Sequence, residues 1–359
     1  MNDKPHRYGL LIFFMILVGY IALFPIPLGK ELLLVLQWIR SVDDPISTLG
    51  QSSQSSKEKV TGFLLGKTIG YLSEAGDLIY RESVLYSALV TDRGFINYSA
   101  IPKTLVVKDP RGNFLSTLRI EGYPFARKNR LFVLLTDGCG LAEVNLEGEI
   151  LWKKDFNQLI TSMDAGATAT AIGFWDGTLL LLGSKGEVVF QEKLSQDPYG
   201  VVYLTSLTKD DRMMGVVFGL NPQRGILWER TPGGYKRVRS FQLSSNFRRP
   251  IQGLFDPKTE RFVIEDAEGI SIVGKAKEED VRVPLKDRIG TITSCSIDKL
   301  LLLCTQQSEG RKVMGITDKG KRVFLKSLVG EGPLWFQSEE GSFFLGFKKR
   351  IIKYRVMLE

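Results

Sequence analysis

The chain has 359 residues, 43% of them hydrophobic and 25% charged, a globular balance that excludes wholesale disorder and suits either one large β architecture or two ordinary domains. Lys and Arg outnumber Asp and Glu by 48 to 40, a formal charge of +8, which favours anionic neighbours such as lipid headgroups or cell-wall polymers. The basic clusters are scattered and no nucleic-acid partner is expected; the three cysteines show neither a C-x-x-C pair nor zinc spacing, so no disulfide framework is indicated.

Residues 8–29, YGLLIFFMILVGYIALFPIPLG, form an uncharged apolar run of the length needed to cross a bilayer. Lys4 and Arg7 precede it, which places residues 1–7 in the cytoplasm and sends the rest of the chain across the membrane. The run is long for a cleaved signal, no small-residue cleavage site follows it, and no Cys lies near the N-terminus to form a lipobox. A retained transmembrane signal anchor is therefore expected. Pro25 and Pro27 end this helix, and residues 30–42, KELLLVLQWIRSV, resume an apolar pattern read as a juxtamembrane helix. Its Leu positions and Trp38 would lie along the membrane interface or dock on the following domain. The Ser/Gln-rich stretch 43–60 reads as a linker. The GFLLGKT segment after it carries Thr61 where a phosphate-binding loop needs its first Gly, and is read as an accidental match.

From residue 61 to 359 the chain reads as all-β, because short apolar runs alternate with turn residues and no long stretch has helical periodicity. A polar turn with Gly precedes an alternating strand at Gly76, Gly112, Gly148, Gly186 and Gly320, the first intervals being 36, 36 and 38 residues. Each such Gly suits a tight hairpin that needs positive φ at one position. Two divergent units lie between Gly186 and Gly320. Four strands per period, repeated around an axis, describe a β-propeller. Six complete units at 85–120, 121–156, 157–194, 200–243, 247–285 and 286–328 are followed by a tail of three strands. Residues 78–83, LIYRES, read as a fourth strand without its blade, and pairing them with the tail completes a seventh blade and leaves no open edge. The expectation is a seven-bladed propeller, with six and eight blades as the alternatives, behind one N-terminal transmembrane helix.

The unit VNLEGEILWKKDF, residues 144–156, resembles the pyrroloquinoline-quinone-type propeller repeat: an apolar strand, a Gly turn, then a strand bearing Trp and ending in Leu or Phe. The resemblance implies a fold shared by quinoprotein dehydrogenases and by non-enzymatic proteins similar to BamB, the propeller accessory of outer-membrane barrel assembly, so function has to come from a site. A quinone site of that family implies acidic and amide calcium ligands, a Trp platform, a catalytic Asp and commonly adjacent cysteines. No vicinal cysteines occur here, and Trp152, Trp175, Trp228 and Trp335 fall in different blades. Asp137, Asp164 and Asp176 sit at turns, where Asp caps the backbone. The one histidine, His6, precedes the apolar run and leaves the propeller no imidazole for general-base work or the commonest metal ligation. FWDGTL lacks the Gly-His partner of a WD repeat, and SMDAGAT has Ala169 where an Asp-box expects an aromatic, so both read as structural. No catalytic, cofactor-binding or metal-binding residue is assigned.

These readings together lead to a non-enzymatic interaction scaffold of the bacterial cell envelope, single-pass in the inner membrane with its propeller periplasmic, using no cofactor and contacting unidentified envelope proteins. The alternative is a degenerate quinoprotein-type or carbohydrate-active enzyme. Arg127, Lys128, Arg130, Tyr199, Arg248 and Arg249 are the candidate interaction surface, as basic or aromatic positions in loops that converge on one rim or on the central opening. Cys295 and Cys304 fall on runs that read as hairpin partners; a bridge between them needs a favourable register in an oxidising compartment, and two separate thiols are the expectation.

Overall fold

Alternating strands joined by glycine turns have to bury one face of every small sheet, and here each sheet buries it against the next. The computed structural model describes residues 12–19, 32–47, 59–196, 200–295, 300–307, 310–329, 332–339 and 341–358. Six sheets, over residues 87–118, 122–155, 160–193, 202–242, 253–284 and 288–329, each contain four consecutive antiparallel strands. These are blades 2 to 7. Blade 1 consists of Val60–Leu65, Thr68–Ser73 and Leu78–Ser83; blade 8 consists of Leu334–Glu339, Ser342–Phe347, Arg350–Leu358 and the N-terminal strand Leu32–Ser41.

The ring therefore has eight blades among the described residues, not seven. Its interior shows the same number: eight buried apolar clusters, one at each interface between successive blades, with Val42, Phe63 and Leu72 packing against Ile351 where blade 8 meets blade 1. Leu78–Ser83 does not close the last blade. It pairs with Thr68–Ser73 as the outer strand of blade 1. This blade has three strands among the described residues. Gly76 lies in the turn before its last strand, as Gly112 and Gly148 do in blades 2 and 3, so the three described strands correspond to the second, third and fourth of those blades.

Closure falls instead to residues predicted as a juxtamembrane helix. Leu32–Ser41 pairs antiparallel with Arg350–Leu358, from Leu32 opposite Leu358 to Ser41 opposite Arg350. An uncovered strand 350–358 would present a row of unpaired backbone donors and acceptors, and the N-terminal segment fills that edge. Leu33, Leu36 and Ile39 face outward while Leu34 and Trp38 pack inward; these two faces of a strand gave the impression of a helix apolar around most of its circumference. Of the predicted linker 43–60, residues 48–58 lie outside the described residues; Ser47 N–H donates to the Leu78 carbonyl at 2.8 Å, and Val60 already begins blade 1. Residues 12–19 are helical, and the rest of the predicted span 8–29 lies outside the described residues. Among the described residues no helix is long and apolar enough to cross a membrane.

The glycine turns lock neighbouring blades. Gly76, Gly112, Gly148 and Gly186 all have positive φ, and a Cβ there would meet Trp38, Tyr80, Ser116 and Trp152 respectively, each on the outermost strand of the preceding blade. At Gly186 φ is +77° and a Cβ would lie 3.0 Å from the Trp152 ring. Gly186→Ala is expected to destabilise the domain by about 1–2 kcal/mol through the left-handed backbone and the ring contact together. Urea denaturation reads this directly, with Gly233→Ala, where a Cβ meets nothing within 4 Å, as the near-neutral comparison.

The phosphate-loop look-alike is the hairpin between Val60–Leu65 and Thr68–Ser73. Cys295 and Cys304 lie on paired strands, but the register sets Cys295 opposite Leu300 and Cys304 opposite Thr291. Cys304 is a buried free thiol whose pKa burial pushes up to about 11, with the Arg311 charge opposing.

Candidate functional site

Each first strand carries the chain from one rim of the ring to the other. On the crossover rim the chain passes between blades and the second-to-third hairpins project; on the hairpin rim lie the first-to-second hairpins and the glycine turns. The first strands of blades 3 to 7 surround a central cavity of about 640 Å³, lined by apolar Phe125, Met163 and Ile292 and polar Thr161, Ser162 and Tyr203.

Arg127, Lys128 and Arg130 share one hairpin of blade 3 on the hairpin rim. Lys128 takes φ +53° and extends its ammonium across two blades, donating to the carbonyls of Ala165 and, at 2.8 Å, Leu207, with Asp164 Oδ2 at 3.3 Å. The Arg127 guanidinium lies 5.5 Å from the Phe125 ring centroid, its Nε donating to the Met163 carbonyl at 3.4 Å. Arg130 binds Glu143 through Nε at 2.7 Å and Nη2 at 2.6 Å, and its Nη1 donates to Ala169 O at 2.7 Å. Trp152 Nε1 completes the group by donating to Glu143 Oε2 at 2.6 Å. A planar guanidinium meeting a carboxylate bidentately is a strong, oriented pair; it lies within blade 3, and the Nη1 bond to the Ala169 carbonyl ties it to blade 4.

Arg248 and Arg249 lie on the opposite, crossover rim, in the connector between blades 5 and 6. Arg249 makes two bonds to buried Glu265, at 2.8 and 2.6 Å, and sits 4.3 Å from the Phe247 ring centroid; the Glu265 bond raises its pKa further. Arg248 is exposed. Burial raises the Tyr203 hydroxyl pKa at the channel mouth, and the Arg248 charge pulls it back. Tyr199 lies outside the described residues. The six candidates thus do not form one surface: three serve the hairpin rim, two the crossover rim. Exposed Arg288, which with Arg249 and Gln252 frames a further cavity of about 410 Å³, belongs beside Arg248. Its place in the KDRIG connector between blades 6 and 7 was the available signal.

The turn acids act on the backbone. Asp164 Oδ2 accepts from Leu207 N–H at 2.8 Å, and Asp211 Oδ2 accepts from the Thr168 amide and hydroxyl at 2.7 and 2.8 Å, so the Asp-box look-alike is a blade-to-blade turn. Burial alone would raise the Asp176 pKa, but bonds from Lys193, the Thr178 amide and hydroxyl, and Gln158 hold it at about 2. A depressed folded-state pKa contributes stability that is complete above the ordinary aspartate value of 3.8 and is lost as pH falls through about 2. Acid titration of the unfolding transition is therefore expected to show a loss between these values that Asp176→Asn reduces. Among the described residues no group of three or more His, Cys, Asp or Glu is placed to hold a metal ion.

Comparison with known proteins accords with this architecture. A family model described as a beta-propeller protein matches residues 1–357. An uncharacterized protein of Treponema pallidum (strain Nichols) is 21% identical over 348 residues, covering 95% of this chain and 90% of that one. Among solved structures, BamB from Moraxella catarrhalis superposes with a TM-score of 0.60 at 11% identity, covering 90% of this chain and 100% of its own. The computationally designed Ika8 protein gives 0.58 at 12% identity, covering 85% and 98%. At such identities the structural likeness concerns the fold alone.

Proposed function

We propose, from the premise that this chain belongs to a β-propeller protein family, that it is a non-enzymatic interaction scaffold tethered to the inner membrane of a bacterium, its propeller on the periplasmic side and its repeat of the pyrroloquinoline-quinone type. The observation that carries this reading is the division of labour among charged side chains. Lys128, Arg130, Glu143, Asp164 and Asp211 are committed to bonds between or within blades, whereas Arg248 and Arg288 stand exposed around the crossover mouth of the channel. Loop residues on a rigid ring are the usual seat of recognition, and exposed arginines there suit an acidic partner surface.

The apolar run 8–29 supplies the tether. It ends three residues before Leu32, the start of the closing strand on the hairpin rim; at about 3.5 Å per residue a gap of that length can span at most roughly 10 Å. The hairpin rim then faces the bilayer and the crossover rim faces away from it.

The test is whole-cell cross-linking followed by capture of the full chain from the membrane fraction. The expected result is retention in membranes after an alkaline wash, with one or a few envelope proteins enriched. Release by the wash, or capture with nothing above background, would overturn the corresponding half of the reading. A spectral and stability change on adding calcium and pyrroloquinoline quinone would overturn its non-enzymatic character.

A further inference from the structure

Blades 2, 3 and 4 expose a matched pair of apolar side chains two and three residues after their turn glycines: Phe114 and Leu115, Ile150 and Leu151, Val188 and Val189. Exposures run from 44% at Ile150 to 66% at Phe114, so these are not edges of a core. The cause is a bulge repeated in all three outermost strands. Phe114 and Ser116 pair with consecutive residues of the neighbouring strand, as do Ile150 and Trp152, and Val188 and Phe190, leaving Leu115, Leu151 and Val189 unpaired. An extra residue breaks the strict inward and outward alternation and re-aims a side chain, so two consecutive apolar groups are left in water. All three pairs follow glycine turns, which places them along the outer edge of the hairpin rim. Near the starts of their outermost strands blades 5, 6 and 7 carry exposed Lys236, Arg282 and Arg322, although blade 5 also exposes Val238 at its bulge.

We infer that the hairpin rim docks on an anionic lipid surface, the apolar arc of blades 2–4 entering the headgroup layer and the basic arc of blades 5–7 meeting lipid phosphates. This rests on the tethered reading above. Two features single out a bilayer as the occupant. The apolar run 8–29 joins the propeller on this same rim, at Leu32, so a membrane that holds the run lies within reach of the whole face. Apolar and basic groups divided along one rim are the combination that binds interfaces of negative lipid, by apolar burial together with attraction to the surface potential.

The experiment uses the full chain reconstituted in vesicles of phosphatidylcholine and phosphatidylglycerol whose headgroups carry a nitroxide quencher. A fluorescent amino acid replaces Leu151 or Val189, or, on the crossover rim, Trp175. Quenching several-fold stronger at 151 and 189 than at 175, and weakened when phosphatidylglycerol is omitted, is the expected result. If the chain floats with the vesicles but all three probes are quenched equally weakly, the docking is wrong while the tether stands. If the chain does not float, the tether itself fails and the inference with it. Probes at 151 and 189 that are shielded from both lipid-borne and aqueous quenchers would assign the rim to a second copy of the chain and overturn the lipid assignment.

Discussion

Removal of residues 1–41 is expected to open the propeller, whereas removal of residues 1–31 is expected to leave a cooperative unfolding transition. The difference is one strand. Leu32–Ser41 supplies the outer strand of blade 8. Trp38 packs against Phe344 at 5.9 Å and beneath Gly76 of blade 1, and the Arg40 Nε donates to the Gly76 carbonyl at 3.2 Å. The strand thus completes one blade and holds it to the next. Losing the part-buried Trp and Leu surface together with the ladder costs on the order of 5 kcal/mol, comparable with the whole stability of many domains. It also bares the edge of Arg350–Leu358 to other chains. Calorimetry and light scattering on the two truncated forms are expected to show a lowered, broadened transition and aggregation for the shorter form only. Identical transitions would mean that residues 32–41 do not close the ring.

The second large effect is expected at Glu143. Its side chain is 8% exposed, that of Arg130 is 12% exposed, and the carboxylate also accepts the Trp152 indole N–H. Glu143→Ala leaves a guanidinium and an indole donor without their acceptor in a nearly dry site, which costs about 3–5 kcal/mol. Glu143→Gln, which keeps an acceptor, is expected to lose less, and Arg130→Met with Glu143→Leu is expected to recover most of the stability because no charge remains uncompensated. Urea midpoints at neutral pH separate these cases. If Arg130→Ala instead left the midpoint unchanged while abolishing partner capture, Arg130 would be a recognition residue.

The repeat was legible because its signals are local: a glycine at positive φ, an alternating strand, a spacing near 36 residues. The blade count was not, because the closing contact joins residues some 320 positions apart and no local pattern encodes a pairing partner. One clue existed. Trp38 stands 38 residues before Gly76, and Trp152 stands 34 before Gly186; both rings lie under those glycines. QWIRS therefore carried the fourth-strand signature of ILWKKD, but its neighbour, an apolar run of membrane length, suggested a helix. The same limit governed the candidate residues. A loop arginine is visible in sequence, whereas its acceptor is not: Arg130 meets Glu143 thirteen positions away and Lys128 meets Leu207 seventy-nine away. Arg248 is exposed in its connector, while Arg249 beside it is held by Glu265.

The most direct measurement of the scaffold role places a photo-activatable amino acid at Arg248, on the crossover mouth, or at Thr117, on the exposed outer wall of blade 2, and illuminates intact cells expressing the full chain. The scaffold reading predicts a discrete cross-linked envelope protein at position 248 and none at 117. No adduct at 248 in a chain that resides in the membrane, or the same smear of adducts at both positions, would contradict it.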